Sequence, residues 1–97
     1  MGFKEIISRV AQIQIDEAFY YYELQRPGLG RRFFIEFKNA IKYILLDPYL
    51  FPVKSNSLRE LKLSVFPYLI IYEIMGNVIL IAAVFHTSQN PEKKPDK

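Results

Sequence analysis

The sequence predicts an α+β fold: an N-terminal antiparallel helical hairpin packed on one face of a small, mainly antiparallel sheet of three to four strands. Three observations lead there. Apolar residues recur at helical spacing through the first half of the chain. Through the second half they alternate or run together in short segments. Pro-Gly, Asp-Pro and Gly-Asn pairs separate the segments. A chain of 97 residues has room for one hydrophobic core, so a single domain over residues 1–97 is expected.

Residues 4–8 are a candidate for a short first strand. The first helix is expected from Val10 to Gln25, with Ser8 placed to cap it. Val10, Ile13, Phe19 and Tyr22 recur near helical spacing, Ile15 and Ala18 less regularly, and Tyr20, Tyr21 and Tyr22 spread rings around more than one face. Pro27-Gly28 ends this helix. Leu29-Gly30 leads into a second helix reaching Leu46. Its stripe is Phe33, Phe37, Ala40, Ile41 and Ile44, while Arg31, Arg32, Lys38 and Lys42 face elsewhere. Asp47-Pro48 stops it. The short connection makes the pair an antiparallel hairpin.

Residues 48–57 read as a loop. Leu58 to Phe66 alternates, with Leu61, Leu63 and Val65 on one side and Glu60, Lys62 and Ser64 on the other. Pro67 interrupts the chain before a strand from Tyr68 to Ile74. Met75-Gly76-Asn77 is a tight turn. Val78 to Phe85 is apolar on both faces, which predicts a central or doubly covered strand. Thr87 to Lys97 is polar, and residues 92–97 are expected to be a flexible tail.

Composition narrows the function classes. Half of the residues are hydrophobic and 15% aromatic, enough for a packed core. The absence of cysteine excludes disulfides, Cys metal sites and a Cys nucleophile, and is compatible with a cytoplasmic location. A net charge of +3 spread along the chain suits an acidic protein partner as well as nucleic acid. The N-terminus lacks the apolar run of a signal peptide. Val78 to Phe85 is far short of the roughly 20 apolar residues that span a bilayer, so no membrane association is expected.

Few residues point to catalysis. His86 is the one histidine, with no second histidine or nearby carboxylate to make a metal site, and no cofactor is expected. No serine sits in a nucleophile-elbow context. Pro27-Gly28-Leu29-Gly30 lacks the Lys-Ser/Thr of a phosphate loop and reads as a turn. Asp16, Glu17, Glu23 and Glu36 read as solvated helix faces. Arg59 is anomalous: strict alternation puts it on the side of Leu61 and Leu63. It is either a structural arginine at the sheet rim or a target-binding one. Eight Phe and seven Tyr exceed what a small two-layer core must hold, so part of the aromatic load is expected at an interface.

The order of several short motifs then becomes specific. Ala11-Gln12, Tyr21-Tyr22-Glu23 and Pro27-Gly28-Leu29-Gly30 before Phe33 resemble the first helical hairpin of the RelE/ParE toxin superfamily. Leu46-Asp47-Pro48 with Phe51-Pro52 is similar to its second-helix exit. Leu58-Arg59 and Phe66 to Tyr72 resemble its central strand pair, and Ala83-Val84-Phe85-His86 with Asn90-Pro91 its last strand and exit.

The resemblance covers roughly residues 8–91. It implies the same helical hairpin on a small antiparallel sheet and a toxin of a bacterial type II toxin–antitoxin system, a class linked to plasmid stabilisation. RelE-like members cleave mRNA on the ribosome with basic residues, whereas ParE-like members inhibit DNA gyrase without known catalysis. Leu69 and Gln89 stand where the nucleases carry cations, and the Phe-Pro-Tyr and His-x-x-x-Asn-Pro patterns are similar to the ParE branch. The implied target contacts are Arg59, Tyr68, His86 and Gln89, with His86 and Arg59 the catalytic candidates of a nuclease alternative. A third alternative is an inactive member that binds only antitoxin. The implied partners are a cognate acidic antitoxin and gyrase, or ribosome and mRNA in the nuclease reading, with a homodimer possible for the free toxin. Phe19, Tyr20, Tyr21, Tyr22, Phe33, Phe34 and Phe37 are the expected antitoxin-binding residues.

Overall fold

A computed structural model describes residues 2–88. The elements in order are β1 (Lys4–Ile7), α1 (Arg9–Gln25), α2 (Leu29–Leu46), β2 (Val53–Ser55), β3 (Leu58–Lys62), β4 (Tyr68–Met75) and β5 (Val78–His86). The five strands form one sheet in the order β1-β5-β4-β3-β2. β1 runs parallel to β5 and the other pairs are antiparallel. The α+β architecture is as expected, but the sheet is wider than three to four strands. The candidate segment at residues 4–8 does pair, and the expected loop at 48–57 contains β2, turned back onto β3 through Asn56 at φ 50°.

Helix α1 starts where Ser8 predicts. The Ser8 hydroxyl accepts the Ala11 N–H at 3.0 Å and donates to the Ala82 carbonyl at 2.9 Å, so one side chain caps the helix and ties it to β5. The buried face of α1 differs from the expected one. It is Ala11, Ile15, Ala18 and Tyr22, while Val10 and Ile13 are exposed. The larger residues alone mislead here, because two alanines sit where α1 crosses close to its neighbours. In α2 the whole predicted stripe, Phe33 to Ile44, is buried.

The helices cover one face of the sheet. Their buried residues join Leu63, Phe66, Tyr68, Ile70, Tyr72, Ile79, Ile81 and Val84 in the main core. A smaller buried cluster on the other face contains Leu58, Ile71, Ala83 and Phe85. β5 lies between β1 and β4, the central position that its apolar sequence predicted.

Strand β3 ends at Lys62 rather than Phe66, and Val65 is consequently exposed. The cause is tertiary: the Glu36 carboxylate accepts the backbone N–H groups of both Ser64 and Val65, which diverts them from a strand ladder. β5 carries a bulge. Ile71 pairs with Ala83 but Tyr72 pairs with Ile81, leaving Ala82 unmatched. The bulge switches the alternation, so that Ile79, Ile81 and Val84 all face the helices. Beside it Gln14 Oε1 accepts the Val84 N–H at 2.7 Å. α1 thereby supplies a hydrogen-bond partner to the stretch of β5 that β1 does not reach.

Tyr72 anchors the chain beyond α2. Its hydroxyl donates to the Pro48 carbonyl at 2.6 Å, and both residues are buried. Tyr72→Phe leaves that carbonyl without its partner. The expected result is a loss of about 1–3 kcal/mol, read as a lower urea midpoint at unchanged m-value.

A cleft between the first helix and the last strand

Tyr68 and His86 face each other across the β4–β5 ladder. Their rings meet edge to face with centroids 4.9 Å apart. Because the Ala82 bulge resets the alternation, the two side chains lie on the helical side, at the end of β5 beside α1. Together with Gln14, Glu17, Tyr21 and Val84 they line a cleft of about 410 Å³. Tyr68, expected to be an exposed contact, is only 7% exposed and forms the cleft's inner wall, while Tyr21 and Glu17 are its exposed residues.

His86 Nδ1 accepts the Ser88 backbone N–H at 3.1 Å and lies 2.7 Å from the Ser88 hydroxyl.

Tyr68 and Tyr72 are both held as neutral phenols, their pKa values pushed up to about 12. Burial is the leading cause in each, followed by the neighbouring Tyr22 for Tyr68, whereas Arg59 partly opposes the shift at Tyr72. An unfolded tyrosine loses its proton near pH 10. The folded state therefore holds two protons that the unfolded chain releases. Stability from this source is complete below pH 10 and is lost as the pH rises from 10 through 12. Thermal melts across that window are expected to show a steep fall that Tyr72→Phe makes shallower.

Arg59 belongs elsewhere. Its guanidinium donates from Nη1 to the carbonyls of Tyr49 at 3.2 Å and Phe51 at 2.6 Å, and lies 5.4 Å from the Tyr49 ring centroid. It pairs with Tyr72, four residues from Tyr68 along β4, a separation of about 13 Å at strand rise. The structure therefore brings Tyr68 and His86 together but not Arg59, which fastens the 49–51 segment to the sheet. Leu69 packs against the opposite cluster. Gln89 and the tail at 92–97 lie outside the described residues.

The aromatic set divides as sharply. Tyr22, Phe33 and Phe37 are core residues, the first two packed against Phe66 and Tyr68, which corrects their assignment to a partner surface. Tyr20, Tyr21 and Phe34 are exposed and Phe19 is half-buried. The aromatic surplus was real, but two helices on a five-stranded sheet absorb more of it than two helices on three strands would.

Residues 6–91 match the family model described as the ParE toxin of the type II toxin–antitoxin system parDE. The chain belongs to the ParE toxin family. No curated protein matches its sequence. It is similar in fold to a chain from a solved structure titled "Chromosomal ParDE TA system from P. aeruginosa". The TM-score is 0.79 over 89% of this chain and 97% of that one, at 16% identity. Among the described residues of this ParE-family chain, no helix is long and apolar enough to cross a membrane.

Two structural carboxylates escaped the sequence reading, which placed them on solvated faces. Glu23 accepts the Gly28 and Gly30 N–H groups at the start of α2, and Glu36 holds the turn after β3. For Glu23 a signal was present: it precedes the Pro-Gly-Leu-Gly turn by four residues, near enough to reach the unpaired N–H groups of the next helix. For Glu36, 28 residues from its partner, local sequence offers none.

Proposed function

We propose that this ParE-family toxin acts in the cytoplasm as a protein-binding inhibitor of DNA gyrase and is neutralised by a short acidic antitoxin encoded beside it. The cleft at Tyr68 and His86 is the centre of the target contact, with Gln89 next to it in sequence. The observation that carries this reading is the chemistry of that cleft. Its walls supply a carboxylate, tyrosine rings and a histidine, and Arg59 is committed to the 49–51 carbonyls. Cleaving RNA requires cations to stabilise a phosphorane-like transition state, and an exposed Glu17 repels a phosphate. Such a surface suits a protein target.

The antitoxin belongs on the other helix. Within its span α2 carries Arg31, Arg32, Lys38 and Lys42 against Glu36, whereas α1 carries Asp16, Glu17 and Glu23 against Arg9. A groove of about 470 Å³ separates α2 from β3, with Ile35, Tyr43, Leu61 and Val65 among its apolar walls and Arg32 and Lys62 as its cations. An acidic amphipathic helix would bury those walls and the nearby Phe34. The same apolar surface would pair two copies of the free toxin. Reversing Arg32 and Lys62 to glutamate is expected to slow antitoxin association by about tenfold at low ionic strength, measured by stopped flow.

Expression without antitoxin tests the target. Filamentation and SOS induction are expected, and the purified toxin should inhibit supercoiling by gyrase. Rapid translation arrest with cut mRNA and no SOS response would overturn the gyrase reading.

A further inference from the structure

Glu17 is unlike the other acids of this chain. Glu23, Glu36 and Asp47 accept backbone N–H groups. Glu5, Asp16 and Glu73 meet side-chain donors, and Glu60 is also engaged. Among the described residues, Glu17 is the one carboxylate without a hydrogen-bond donor or an ion-pair partner. It stands with Tyr21 on the exposed part of the α1–β5 cleft, whose buried lining includes Tyr68.

That combination selects a charge type. Tyrosine rings attract a cation over their faces, and an open carboxylate adds a charge-assisted hydrogen bond. An anion would be repelled. A purely apolar group would strip water from Glu17 without replacing it. The basic groups of α2 are on the other helix of the hairpin, and no Lys or Arg occurs in α1 after Arg9.

We propose that the cleft takes one arginine or lysine side chain of the toxin's target, with the charged end at Glu17 and the stem between Tyr21 and Tyr68. The identity of the donor as target rather than antitoxin rests on the functional reading above; an acidic antitoxin is directed by charge to α2 instead. On this view the two partners use opposite signs on the two helices.

The direct test is an NMR titration of the full chain at neutral pH with Nα-acetyl-arginine N-methylamide, alongside the citrulline analogue of the same shape. The arginine probe is expected to shift the Tyr21, Tyr68 and Glu17 resonances saturably, and the neutral citrulline probe to leave them in place. Glu17→Gln, at an exposed position without structural partners, should weaken the arginine response about fivefold, the worth of one exposed ion pair. Equal shifts from both probes, or an undiminished response in Glu17→Gln, would overturn the proposal.

Glu17→Arg in cells identifies the donor. Loss of toxicity with antitoxin co-purification retained is expected. Loss of antitoxin capture with toxicity intact, or no change in either, would overturn the assignment to the target. Glu17-dependent toxicity that acts through translation would keep the cleft and reject only gyrase.

Discussion

Phe33→Ala is expected to lower the stability of the domain by about 3–5 kcal/mol, while Phe34→Ala, one residue later, changes it by less than about 1 kcal/mol. Phe33 is 0% exposed and Phe34 is 42% exposed. The Phe33 ring packs against three others: stacked on Tyr22, edge-on to Phe66 and tilted against Tyr68, with centroids 5.2–5.8 Å apart. Removing it empties the junction of α1, α2 and the start of β4, where a collapse would have to move all three. A domain of this size has about 5–15 kcal/mol in total. The loss therefore amounts to a drop of about 15 °C or more in melting temperature. Phe34 should show the opposite pattern, a near-normal melt and weakened antitoxin binding. Calorimetry and a binding titration on the same two variants check both halves. A Phe34→Ala protein that melts as low as Phe33→Ala would place both residues in the core.

Gly30→Ala should be the second severe change, and its sign runs against local propensity. Alanine in a helix normally improves on glycine by about 1 kcal/mol. Here a Cβ at residue 30 would stand 2.6 Å from the Phe19 carbonyl oxygen, 3.0 Å from Glu23 Oε1 and 3.1 Å from Glu23 Cβ. The first of these is backbone, so relief requires α1 and α2 to separate. The same shift pulls Glu23 away from the Gly28 and Gly30 N–H groups that it caps. A net loss of about 2–3 kcal/mol is expected, in the range of an overpacked core. Glu23→Gln keeps one of the two acceptor oxygens and turns an NH2 toward the other N–H, without moving the helices apart, and should cost less. A melting temperature for Gly30→Ala at or above that of the wild-type chain would show that the hairpin can open without penalty.

These two positions mark how far the sequence can be read. The apolar stripe of α2 was legible because every one of its large residues falls on one face, and packing then followed period. In α1 the same period favours Val10 and Ile13, with Ala18 less regular and Ala11 outside the pattern, whereas Val10 and Ile13 are exposed and both alanines are buried. Spacing and bulk cannot register a small residue that is buried because a neighbouring element comes close. Arg59 was correctly placed on the helical side of its strand by alternation. What it touches there, the carbonyls of Tyr49 and Phe51, depends on how the chain after Pro48 folds back over the sheet.

The sequence by itself determined the α+β class, the hairpin with its Ser8 and Gly28 boundaries, the three long strands and the ParE-like order of motifs. Each rests on local periodicity, capping or turn chemistry, which act within a few residues. Only the tertiary structure decided the pairing of the two outer strands, the early end of β3, the burial of α1 through Ala11 and Ala18, and the cleft itself. Those depend on partners far apart in the chain: Lys4 with Val78, Glu36 with Ser64, Gln14 with Val84. The cleft depends on one more such event, the Ala82 bulge, which turns Val84 and His86 toward α1. No local pattern encodes that turn, because it arises from how β5 is shared between β4, β1 and the side chains of α1.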